Sequence, residues 1–67
     1  MNIKLGDYVE YTPMYSVGLF TRRGKVIQLL DGEYGIQSIE GWLELVLPQN
    51  IKRKLTAEEI VLIKLEN

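Results

Sequence analysis

Arg22, Arg23 and Lys25 set three positive charges close behind Phe20, with Tyr15 a few residues upstream. Guanidinium and ammonium groups beside an exposed ring engage phosphate backbones and stack on bases. The five residues Tyr15, Phe20, Arg22, Arg23 and Lys25 are therefore the expected partner-binding surface, for a protein or a nucleic acid. A second basic set, Lys52, Arg53 and Lys54, reads as strand, so Lys52 and Lys54 share one face and Arg53 takes the other. Charges there suit a solvated face that discourages edge pairing. Tyr11, Tyr15, Phe20, Tyr34 and Trp42 supply most of the aromatic content. Alternation sends at least two of these rings into the core; Trp42 follows a tight turn, where an indole often stays half exposed and can mark a ligand surface, although core or rim packing is favoured.

Other chemistries are poorly provided for. The chain has no cysteine and no histidine, which removes disulfides, cysteine or imidazole metal sites and Ser-His-Asp arrangements. Asp31 and Glu33 flank a hairpin turn, where Asp serves turn chemistry. Glu40 and Glu44 point the same way only if one strand runs through Gly41. Neither pair has EF-hand or glycosidase spacing, and no phosphate loop, nucleophile elbow or dinucleotide fingerprint is present. The expectation is a protein that is not an enzyme and holds no metal or cofactor.

Eight basic and nine acidic residues give a net charge of −1, unlike a nonspecific nucleic-acid coat. With 46% apolar and 25% charged residues the 67-residue chain reads as one small folded domain. A domain of this size is marginal in its core. The longest apolar run, Ile60 to Ile63, is far too short to span a membrane, and residues 1–7 carry no apolar signal core. With no cysteine, the expected location is the cytoplasm.

The elements that must hold the basic and aromatic residues are strands. Tyr8-Val9-Glu10-Tyr11 alternates as a first strand, followed by a loop from Thr12 to Gly24. Lys25–Leu30 and Tyr34–Ile39 flank Asp31-Gly32, a type I′ hairpin signal needing positive φ at both residues. Glu40-Gly41 turns into Trp42–Leu47, Pro48-Gln49-Asn50 stops that strand, and Ile51–Leu55 forms the last. Five short strands with tight turns between the last four imply a small closed barrel over residues 1–55.

Residues 56–67 form a C-terminal segment that packs on the barrel or on a partner subunit. Thr56-Ala57-Glu58-Glu59 matches a capping box, favouring a short helix, although its apolar residues scatter around the wheel. As a sixth strand, Val61, Ile63 and Leu65 would share one face. Ile60, Leu62, Ile63 and Leu65 are the expected homo-oligomer contacts.

The order of these signals resembles that of SH3-like barrels, the group that includes KOW and Tudor modules. Gly6-Asp7-Tyr8-Val9 resembles their opening strand, Arg23-Gly24-Lys25-Val26 a KOW or Tudor second strand, and Leu47-Pro48-Gln49-Asn50-Ile51 the helical turn before the final strand. The resemblance covers about residues 5–55 and implies a mainly β, five-stranded SH3-like barrel. A weaker similarity is to the plasmid-borne type II dihydrofolate reductases, through Gly32-Glu33-Tyr34-Gly35-Ile36-Gln37-Ser38. Where their pore has Val-Gln-Ile-Tyr, this chain reads Leu43-Glu44-Leu45-Val46, so that likeness implies topology without the activity. The expected function is a non-enzymatic module that recognises a protein or nucleic acid through its long first loop. The alternative is a structural or accessory self-assembling subunit, of a kind that would suit a phage or mobile element.

Overall fold

The computed structural model describes residues 2–14 and 20–66. Five antiparallel strands form one sheet, and a ten-residue C-terminal helix follows, so the fold is mainly β as expected. The strands are β1 (Tyr8–Tyr11), β2 (Arg22–Leu30), β3 (Glu33–Ser38), β4 (Leu43–Val46) and β5 (Ile51–Lys54). A 3-10 turn, Pro48–Asn50, precedes β5, and the helix α1 spans Ala57–Glu66. The strand order is β4-β3-β2-β1-β5.

That order leaves β4 and β5 as the two edges, so the hydrogen-bonded sheet is open between them. The closure expected of a barrel is not made by a ladder. Pro48 lacks the N–H that would extend β4, and the Pro48–Asn50 turn carries the chain from one edge to the other. Central β2 pairs with both β1 and β3, and its register shifts between Val26 and Gln28, an irregularity that bends and twists a strand.

A strand boundary and a turn type also depart from the sequence reading. The second strand begins at Arg22 rather than Lys25, because Tyr11 pairs with Arg22 and Glu10 with Arg23 across the β1–β2 ladder. The arginines sit in a strand because acidic side chains meet them there. The Asp31-Gly32 turn is not type I′: Gly32 takes φ 80°, whereas no non-glycine among the described residues has positive φ.

Alternation places Val9, Tyr11, Val26, Ile36, Val46 and Ile51 in one core, with Ile3 and Tyr34 packed against it. Gly24 lies within this layer, where an added Cβ would stand 2.6 Å from the Gln37 carbonyl oxygen and 2.6 Å from Ile36 Cγ2.

The capping box forms as expected. Glu59 N donates to Thr56 Oγ1 (3.2 Å) and Thr56 N to Glu59 Oε1 (2.8 Å), satisfying two N-terminal amides of α1 reciprocally. Ile63 is the buried residue of the helix. It is therefore engaged with its own chain rather than available to a second copy, and Ile60 is half-buried. Of the expected oligomer contacts, Leu62 and Leu65 remain exposed, alongside Val61. No helix among the described residues is long and apolar enough to cross a membrane.

Candidate functional site

The β1–β2 register divides the basic residues between two faces. Arg22 stands opposite Tyr11, and Arg23 opposite Glu10. Arg22 enters an aromatic setting: its guanidinium carbon lies 5.6 Å from the Phe20 ring centroid and 5.3 Å from that of Trp42. Distances of this size are those of cation–π attraction. Both rings stay open to solvent, Phe20 at 52% and Trp42 at 53% exposure.

Carboxylates hold the guanidinium from the other side. Glu40 Oε1 is 3.5 Å from Arg22 Nη1, and Glu44 Oε2 is 3.8 Å from Arg22 Nε. That Nε is buried without a hydrogen-bond partner, so the guanidinium is held there by charge and stacking. Glu44 is itself fixed by the hydroxyl of fully buried Tyr11, which donates to Glu44 Oε2. Burial, helped by the Glu44 carboxylate, pushes the Tyr11 hydroxyl well above its ordinary value, so it remains a donor. A core residue thus sets a surface constellation. Glu44 reaches it because β4 pairs it with core residue Ile36, and Trp42 because the Gly41 turn (φ 110°) directs the chain there.

On the opposite face the charges lock α1 to the sheet. Arg53 donates to both Glu59 oxygens at 2.8 Å and meets Glu10 at 2.8 Å. Arg23 reaches Glu59 at 3.1 Å. The Arg53 hydrogen bonds, with the Thr56 amide, hold the Glu59 carboxyl far below the usual carboxylate range. Arg53 is raised in turn, chiefly by its hydrogen bonds to Glu59. The Thr21 hydroxyl, then Arg53, lower Glu10. Asp7 is lowered first by the Lys4 amide, with Lys54 3.2 Å away.

The expected surface therefore separates. Phe20 and Arg22 are together; Arg23 serves the helix anchor; Lys25 is exposed, 5.9 Å from the Tyr8 ring. Tyr15 lies outside the described residues. Sequence reasoning omitted Trp42, Glu40, Glu44 and Tyr11 from the site. The signal was present in Trp42 directly after the Glu40-Gly41 turn and Glu44 two residues on. Among the described residues no cluster of acidic or other ligating side chains is fit to hold a metal ion. No family model matches the chain, nor does a curated protein or a solved structure.

Proposed function

We propose that this chain is an SH3-like binding module that recognises a protein, with Phe20, Arg22 and Trp42 as its contact surface. The observation that carries the reading is the pair of half-exposed rings held around one guanidinium. Large rings kept in place by a buried tether offer contact area at small entropic cost, and Trp, Tyr and Arg dominate the energetics of protein interfaces. One guanidinium facing Glu40 and Glu44 leaves the patch slightly acidic. The favoured partner is an extended segment presenting apolar side chains and a basic residue. A nucleic acid is disfavoured because Arg22, Arg23, Arg53 and Lys54 are all already paired with carboxylates. The meander with β5 beside β1, and the helical turn before β5, support the SH3-like reading.

Peptides selected by display on the intact chain test this. They should bind the parent and lose at least about tenfold in affinity with Trp42→Ala or Phe20→Ala, the usual scale for an interface anchor. Oligonucleotides at low salt should bind weakly or not at all. Tight, salt-dependent oligonucleotide binding that survives Trp42→Ala would overturn the proposal.

Self-association is the second reading, and one observation favours it. Leu43 and Leu45 expose apolar side chains on edge strand β4, and Val61, Leu62 and Leu65 do so on α1. Exposed apolar area on an unpaired edge invites a second copy.

A further inference from the structure

A cleft of about 230 Å³ lies beside Ile63 of α1 and runs up to the Gly41 turn. Its walls include Tyr8, Lys25, Gln37, Ser38, Ile39 and Ile63. Three features of this cleft are unusual for plain surface.

Its charge is one-sided. Lys25 is the charged residue of its lining; its Nζ lies 5.9 Å from the Tyr8 ring centroid and joins no ion pair among the described residues. By contrast, the arginines and Lys54 are matched with acids. No acidic residue lines the cleft. Its polar lining comes from Tyr8, Gln37 and Ser38. The remaining wall is apolar, from Ile39 and Ile63, and Gly41 leaves space beside them.

We infer that this cleft binds a small carboxylate carrying a short branched apolar body. The ammonium group of Lys25 supplies the charge, and the isoleucines receive the hydrocarbon. Such a group is supplied by a free short-chain acid or by the C-terminus of a peptide ending in a small apolar residue. The inference is independent of the protein-binding surface proposed above, which uses other residues.

Proton–nitrogen correlation spectra of the full chain, titrated with isobutyrate, test the inference. Saturable shifts are expected at the Ser38, Ile39, Gly41 and Ile63 amides. Isobutyramide, the uncharged analogue, should bind about tenfold more weakly, as should isobutyrate to Lys25→Met, on the scale of one charge-assisted contact. Lys25 is exposed, so that variant should fold; an unchanged melting temperature verifies it. Acetyl-Gly-Val with a free C-terminus, binding more tightly than isobutyrate, identifies a peptide end as the source; weaker binding identifies the free acid. Absence of saturable shifts, equal binding of isobutyramide, unchanged binding by Lys25→Met, or tighter binding of inorganic phosphate would each overturn the inference.

Discussion

Replacing Tyr11 with Phe removes a single oxygen, yet that oxygen joins the core to the aromatic surface. Tyr11 is fully buried, and its hydroxyl donates to Glu44, whose side chain is 19% exposed. A hydrogen bond to a charged group is worth about 1.5–3 kcal/mol. Water can reach part of the abandoned carboxylate, which reduces the expected loss to about 1–2 kcal/mol. For a domain of this size each kcal/mol moves Tm by about 4–8 °C, so Tyr11→Phe should melt roughly 5–15 °C lower. Circular dichroism melts of the parent, Tyr11→Phe, Glu44→Gln and the double variant provide the assay. The single variants should couple by about 1 kcal/mol, as residues sharing one bond do. The tyrosine's contribution is whole below pH 10, its ordinary value, and declines only as pH rises beyond that; the Phe variant should lack this alkaline decline. An unchanged melting temperature, or strict additivity in the cycle, would refute the claim that Tyr11 holds Glu44.

The paired carboxylates carry a pH dependence of opposite sign. Because Glu59, Glu10 and Asp7 are all depressed in the folded chain, their stabilisation is present above pH 4.5 and is lost as pH falls towards their folded values. Melts between pH 2 and pH 7 (roughly the carboxylate range) should show that acid decline, shallower in Glu59→Gln. Gly24→Ala should cost about 1–3 kcal/mol by overpacking, measured by urea denaturation, since the new methyl meets backbone at 2.6 Å. Truncation after Leu55 removes buried Ile63 and the Arg53–Glu59 lock, and should lower Tm markedly in a thermal scan. Burial of one such side chain alone is worth about 1.5–3 kcal/mol. Leu65→Glu, at a site 76% exposed, should leave stability within about 0.5 kcal/mol. If the chain self-associates through α1, the same change should abolish the concentration dependence of Tm.

Strands with one buried face announced themselves by alternation, and β1 was readable to the residue from Tyr8-Val9-Glu10-Tyr11. The capping box was equally plain, because Thr56 and Glu59 act locally and need no distant partner. Long-range register was not. Arg22 and Arg23 read as loop because their place in β2 depends on acids elsewhere: Glu40 and Glu44 for one, Glu59 for the other. The candidate site was half legible for the same reason. Phe20 and Arg22 are neighbours in sequence, but Trp42 and Glu44 join them only once β3 and β4 pair. Grouping Arg22, Arg23 and Lys25 overlooked the period of two, which sends Arg22 to one face and the others to the opposite one. In α1 the apolar residues are scattered, so sequence alone could not show that Ile63 turns inward while Leu62 and Leu65 turn out.

Arg22, Phe20 and Trp42 acting together as a protein-contact surface is the central claim, and a display-selected peptide titrated into the isotope-labelled chain tests it most directly. The Trp42 indole and the Thr21, Arg22 and Leu43 amides should shift in a saturable manner, and the indole should become protected from solvent. Shifts confined to α1 or to the Lys25 cleft, with the Trp42 indole unmoved at saturation, would contradict it.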